Sequence, residues 1–192
     1  MEEYEGYLAE EKKRPSDVRE ALILSGIREI EEYGPAGFSL RRAATACGVS
    51  CAAPYKHFES KEAYIEAIVS YIDEKWHLLE AHILDVFGED EEACLLELCL
   101  ASVRFWIGNP HFRAVRMMQK DGRARTSLGD AAEGLLKKHA TRKGLDADEA
   151  AELLFSLRSL VTGAMLMLED GTLENTPGVF SMIRRAILKR LA

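Results

Sequence analysis

Metal and nucleophile chemistry in this chain would have to come from its four cysteines and five histidines. Cys94 and Cys99 lie five apart, and on a helix that spacing turns side chains about 140° from each other, so the two thiols do not form one site. Cys47 and Cys51 are distant from them, no histidine lies near Cys94 or Cys99, and buried free thiols are the expectation. His77 and His82 face different sides of a helix, and His111 follows Pro110 in a helix's first turn, where an uncharged imidazole can sit in a core. No glycine-rich loop follows a strand pattern. The expectation is therefore no metal, no cofactor and no enzymatic activity.

What remains is recognition chemistry, and it is concentrated between Ser39 and Lys61. Ser39 can cap a first short helix that carries Arg41 and Arg42 on its outside and the small Ala43, Ala44 and Ala46, which let another helix pack close. Gly48 can take positive φ in the turn, Val49 pins that turn to the core, and Ser50 can cap a second segment, Cys51–His57. This second segment holds few large apolar groups, as suits a helix lying against something polar. Pro54 would fall at its fourth position, where the missing N–H has no intrahelical partner anyway. Two short capped helices joined by a glycine turn predict a helix-turn-helix.

The elements around it are all helical. Leu22/Ile23, Ile27 and Ile30 predict a first helix from about Ser16 to Tyr33, with Ser16 as cap and a stop at Gly34-Pro35-Ala36-Gly37; Phe38 then serves as a hydrophobic staple. From Ser60-Lys61 a stripe of Ile65, Ile68, Ile72, Trp76, Leu79, Ile83 and Val86/Phe87 predicts a helix of about 40 Å that must link two domains. Further helices are expected at 91–107, 110–119 and 127–142, then from an Asp146/Glu149 capping box to Leu168, and from Thr176-Pro177 to Leu191. The stretch Leu153–Leu168 is apolar nearly all round and needs cover on two sides.

The run Arg19–Tyr64 resembles the DNA-binding domain of the tetracycline-repressor (TetR) family of bacterial transcription regulators. The matching residues are Leu22-Ile23, Gly34, Ser39, Ala44, Gly48-Val49-Ser50, Tyr55, His57-Phe58 and Lys61, in the family's order and spacing without a gap. Ala43 departs from it, standing where a larger aliphatic residue is usual, as does Pro54. The resemblance implies an all-α fold of about nine helices, with a helix-turn-helix DNA-binding domain over residues 12–62 and an effector-binding and dimerisation domain over residues 63–192. It implies a homodimeric repressor of double-stranded DNA with a palindromic operator, released by a small-molecule effector.

The residues expected at DNA are Ser39, Arg41, Arg42, Ser50, Cys51, Ala52, Ala53, Tyr55, Lys56, His57 and Lys61. Among them Tyr55, His57 and Lys61 are assigned to backbone phosphates, while Cys51, Ala52, Ala53 and Lys56 are assigned to base edges. Arg41 and Arg42 stay open between phosphate and base. An effector cavity would draw on large or adaptable interior groups, Trp76, Phe105, Trp106, His111, Met117, Met118, Phe155 and Met165, which suggests an apolar ligand. The dimer would form through Leu153–Leu168 and Val179–Leu191. A different reading is a dimeric ligand- or partner-binding module that no longer binds DNA.

Charge fits this division. The 192-residue chain carries net −7, yet residues 12–62 hold nine Lys/Arg against seven Asp/Glu, while residues 1–11 carry five Glu. The local field meets phosphate, so only the first domain is a candidate for it. Lys12-Lys13-Arg14 could reach a DNA backbone or a minor groove, or equally be a solvated charge run. The acidic start is unlike a signal peptide, and no apolar run approaches the length of a membrane span, so a cytoplasmic protein is expected.

Overall fold

A computed structural model describes residues 17–109 and 129–192; the expected Ser16 cap, the basic arm Lys12–Arg14 and the expected helix 110–119 lie outside these residues. The described chain is all-helical. Its helices are α1 (Val18–Gly37), α2 (Leu40–Ala46), α3 (Pro54–His57), α4 (Lys61–Phe87), α5 (Glu91–Gly108), α6 (Asp130–Lys143), α7 (Ala147–Glu169) and α8 (Pro177–Leu191). The chain divides into two compact units, with a break within α4 between Lys75 and Trp76 and with Gly108 and Asn109 counted in the first unit.

In the first unit α1 buries Leu22, Ile23, Ile27 and Ile30. Its regular geometry breaks at the predicted stop, where Gly34 takes φ 68, ψ 173, values that any residue with a Cβ adopts only with strain. Ala43 and Ala44 are fully buried, and the Ser25 hydroxyl donates to the Ala43 carbonyl at 2.9 Å, so small side chains let α1 and α2 pack closely. Phe38 and Phe58 are both buried against Tyr64 of α4, Phe58 stacking at 4.2 Å and Phe38 edge-on at 5.4 Å. The Tyr64 hydroxyl donates back to the Leu22 carbonyl of α1.

In the second unit the central helix is α5, with Cys94–Leu96, Leu98–Val103 and Phe105 all buried. The stretch 153–168, expected to be covered on one side by its own domain and on the other by a second subunit, buries Leu157, Val161, Ala164 and Leu168 of α7 within the single chain and leaves Phe155, Leu166 and Met167 exposed. Its start is as predicted: Asp146 accepts from the N–H groups of Asp148 and Glu149 at 2.9 Å, and Glu149 accepts from that of Asp146 at 2.9 Å. Thr176 and Pro177 open α8, whose Ile183, Ile187 and Leu191 are buried within the unit. One expectation needs correcting. By length and composition α7 is apolar enough to cross a membrane, although Arg158 within it is paired with Glu133.

Candidate nucleic-acid interface

Ser39 caps α2 as predicted, accepting from the Arg42 N–H at 3.4 Å. The chain then turns through Gly48, whose φ of 71 is a left-handed conformation that favours glycine, and Val49 N–H returns to the Ala44 carbonyl at 3.1 Å. The second segment differs from expectation at its start. Regular helix begins only at Pro54, which is the first helical position rather than the fourth, and Ala53 rather than Ser50 precedes it. Ser50 contributes its carbonyl, accepting from Ala53 N–H at 2.8 Å in a turn over 50–53. The physical reason lies in the proline: its fixed φ and missing N–H suit a first helical position, so the helix starts there.

The short α3 and the turn before it expose Cys51, Ala52, Tyr55, Lys56 and His57, with Tyr55 at 65% exposure and Ala53 half-buried. Pro54 is buried beneath them. Phe58 ends the helix and anchors it, with the Arg19 guanidinium over its ring at 5.5 Å. Ser60 caps α4, accepting from Ala63 N–H at 3.0 Å, and so sets Lys61 in the first turn of α4. The Lys61 ammonium donates to the Phe38 carbonyl at 3.0 Å and lies over its ring.

Two neighbouring arginines part company here. Arg41 is exposed, and its guanidinium makes no hydrogen bond or ion pair among the described residues. Arg42 is held: its Nε donates to Glu29 at 2.7 Å, its Nη2 donates to the Gly37 carbonyl at 2.5 Å, and the guanidinium lies 4.1 Å from the Tyr33 ring centre. The hydrogen bond to Glu29 raises the pKa of Arg42 further. Glu29 also accepts the backbone N–H of Ser39 at 3.2 Å, so one buried carboxylate ties α1 to the start of α2. Glu29 is absent from the sequence expectations. Its signal was there, an acid seven residues after Leu22 on the buried stripe of α1.

The expected effector group is only partly brought together. Trp76 of α4 packs edge-on to Phe105 at 5.4 Å, and Phe105 to Trp106 at 5.7 Å. Met165 is half-buried, but Phe155 is 73% exposed, two residues from the buried Leu157 and on the opposite side of α7. His111, Met117 and Met118 lie outside the described residues. The sequence reading also passed over Glu80, which is buried one turn beyond Trp76 and has His77 Nδ1 3.2 Å from its Oε2. All four cysteines are free, Cys94 and Cys99 buried and Cys51 exposed. Among the described residues no His, Cys, Asp and Glu groups gather to hold a metal.

Solved structures share this architecture. A Clostridium perfringens protein described as a fatty acid metabolism regulator superposes with a TM-score of 0.69 at 20% identity, over 90% of this chain and 98% of its own. A TetR family transcription regulator from Marinobacter aquaeolei VT8 superposes with a TM-score of 0.68 at 17% identity, over 99% of this chain and 98% of its own. At such identities the likeness is one of fold. No curated protein sequence matches the chain. Residues 22–68, however, match the sequence pattern of the bacterial regulatory proteins of the tetR family, the stretch that holds most of α1, α2, the glycine turn, α3 and the first turns of α4. Over residues 22–68 the chain thus carries the sequence pattern of the tetR family of bacterial regulatory proteins, within a fold that it shares with these solved structures.

Proposed function

We propose that the protein is a homodimeric transcriptional repressor that binds a palindromic DNA operator and is released by a small molecule held in its second domain. Residues 12–62 form the DNA-binding domain, and residues 63–192 the effector and dimerisation domain. The protein works by binding in the cytoplasm, not by catalysis. The observation that carries this reading is the pair of cations Arg41 and Lys56, unengaged among the described residues and exposed with Tyr55 and His57 around the small side chains of Cys51 and Ala52. Cations with no partner among the described residues are available to phosphate, and small side chains let a helix approach the floor of a major groove.

Dimerisation draws support from the other end of the chain. Phe155, Leu166, Met167 and Met182 stand exposed on α7 and α8, inside the segments Leu153–Leu168 and Val179–Leu191. Exposed apolar area of this kind marks an interaction surface. A two-fold axis there would relate two recognition segments and demand two half-sites.

Fluorescence anisotropy with labelled duplexes from the DNA flanking the protein's own coding region tests the reading. Expected is tight binding to one duplex, a steep fall with salt, and loss of affinity when one half-site is scrambled. Binding to no duplex from that region, with the fold intact, would instead favour a module that has lost DNA binding.

A further inference from the structure

The helix-turn-helix has one end closed by the chain itself and one end that is open. At the closed end the Gly48 turn joins α2 to α3; at the open end Phe38 stands just before α2, and Phe58 ends α3. Whatever holds the open end sets how far the two helices spread. Phe38 and Phe58 both pack there on the Tyr64 ring, but hydrophobic contact is non-directional and brings the ends together without fixing their register.

A directional tie crosses the same gap. The Lys61 ammonium, three residues beyond Phe58 in the first turn of α4, donates to the Phe38 carbonyl at 3.0 Å and lies 5.5 Å from the centre of the Phe38 ring. That carbonyl sits between α1 and α2 and accepts no backbone N–H among the described residues. Its neighbours are also met by side chains, the Gly37 carbonyl by Arg42 Nη2 at 2.5 Å and the Ser39 N–H by Glu29 Oε1 at 3.2 Å. Arg42 and Glu29 fasten the junction to α2 and α1, and Lys61 fastens it to the far side of α3. An ammonium that is half-buried and committed to a carbonyl and a ring is less available to DNA than the exposed Arg41 and Lys56.

We propose that Lys61 is a positioning residue, whose ammonium clasps the open end of the helix-turn-helix through the Phe38 carbonyl and holds α2 and α3 at the spacing that base reading needs. This rests on the reading of residues 12–62 as a DNA-binding domain, and it takes Lys61 out of the group assigned to phosphate with Tyr55 and His57. The consequence follows from side-chain length. Cys51 and Ala52 are short and touch a base edge from one depth only, whereas the long Arg41 and Lys56 still reach phosphate from a displaced helix. Loss of the clasp therefore costs sequence selectivity and leaves counterion release as it was.

Lys61→Met keeps an unbranched stem against the Phe38 ring and removes the ammonium. The probes for the full-length protein are a duplex that the wild type selects from a random library and a shuffled duplex of the same length and composition. In fluorescence anisotropy the variant should bind the selected duplex at least about tenfold more weakly, bind the shuffled duplex within about twofold of wild type, and keep the wild-type slope of log affinity against log salt. A phosphate contact would instead weaken both duplexes alike and lower the slope by roughly one unit. That result overturns the proposal, and so does unchanged affinity for both duplexes, which would leave Lys61 a role in stability alone. Should Lys61→Met lose its helical circular dichroism, Lys61→Gln, which keeps a neutral N–H donor, carries the same comparison with a selective loss of at least about threefold.

Hydrogen exchange read by mass spectrometry supplies an arm that needs no DNA. Without the clasp the amides of residues 38–46 should exchange at least about fivefold faster, while those of α5 keep their rates. Unchanged exchange over 38–46 overturns the proposal. The two readings fail separately: faster exchange there in a protein whose wild type selects no duplex sinks the repressor reading alone, and a selective wild type whose Lys61→Met variant loses both duplexes with a lower salt slope sinks this inference alone.

Discussion

Phe58 and Phe155 are the same residue under opposite rules. In the first unit Phe58 is 4% exposed and stacked on Tyr64, with Arg19 over its ring; in the second, Phe155 stands 73% exposed on α7. The first unit is held by particular side chains in particular places: Tyr64 to the Leu22 carbonyl, Ser25 to Ala43, Glu29 to both Ser39 and Arg42. The second is packed around the apolar run of α5, together with ties such as Arg158 to Glu133, Arg184 to Glu97 and the buried His139 to the Leu191 carbonyl. A unit built from specific contacts fixes the position of its surface groups, as groove recognition demands. A unit built from stripes can change its lining while keeping its helices.

The largest test of that contrast is truncation of the two phenylalanines. Phe58→Ala should cost about 3–5 kcal/mol in urea denaturation, since it opens a void beneath Tyr64 and unpins α3. Phe155→Ala should leave the stability of a single chain within about 0.5 kcal/mol and act only on association. Similar losses of chain stability from both would mean that the second unit is as specifically packed as the first.

A charge on the exposed face of α7 comes next. A Cβ at Gly163 would meet no atom within 4 Å, so Gly163→Asp is sterically free within one chain. Placed in a dimer interface, the carboxylate should weaken association by about 3 kcal/mol while circular dichroism keeps its helical signal. Ile183 is a poor site for the same experiment despite its place in the α8 stripe, because at 3% exposure it belongs to the core of its own unit. Sedimentation velocity decides, and an unchanged dimer would remove α7 from the interface.

Alkaline pH separates the units more gently. Burial pushes the Cys99 thiol from 9.0 up to about 12. Between those values the unfolded chain gives up its proton and the native chain keeps it, so native stability is whole below pH 9 and falls as pH rises toward 12. The slope should approach about 1.4 kcal/mol per pH unit, and Cys99→Ala should flatten that part of the curve. Burial raises the Tyr64 hydroxyl as well, so Tyr64→Phe should flatten the loss attributable to the first unit from pH 10 upward. Unaltered curves in both variants would show that neither group stays protonated in the fold.

The first unit was the more legible in sequence because its signals are local. Ser39, Gly48 and the phenylalanines announce caps, a left-handed turn and anchors by type and spacing. Pro54 misled only through its register, since a proline at a first helical position and one at a fourth look alike until the helix start is known. In the second unit the helices were legible from their stripes, but which stripe lay innermost was not. Both α5 and α7 are apolar, and only long-range packing chooses between them. The buried acids Glu29 and Glu80 were missed for a related reason. An acid on an apolar stripe is visible in the sequence, but whether it is answered depends on a partner far along the chain or outside it.

Arg41 and Arg42 offer the smallest and sharpest test, because sequence gives them equal claim to DNA and the structure does not. Each phosphate contact made by a cation releases about 0.9 of a counterion, so losing one contact lowers the slope of log affinity against log salt by roughly one unit. Arg41 is exposed with no intramolecular partner among the described residues, and Arg41→Met should show that fall while leaving stability within about 0.5 kcal/mol. Arg42 is occupied by Glu29, Gly37 and the Tyr33 ring. Arg42→Met should leave the salt slope nearly unchanged but strand the buried Glu29 carboxylate, costing about 1–3 kcal/mol of stability. Glu29→Gln in the Arg42→Met background should recover part of that loss, because it removes the uncompensated charge and keeps an acceptor for the Ser39 N–H. Equal salt slopes in the two single variants would put both guanidiniums at phosphate and demand that Arg42 leave Glu29 when DNA binds.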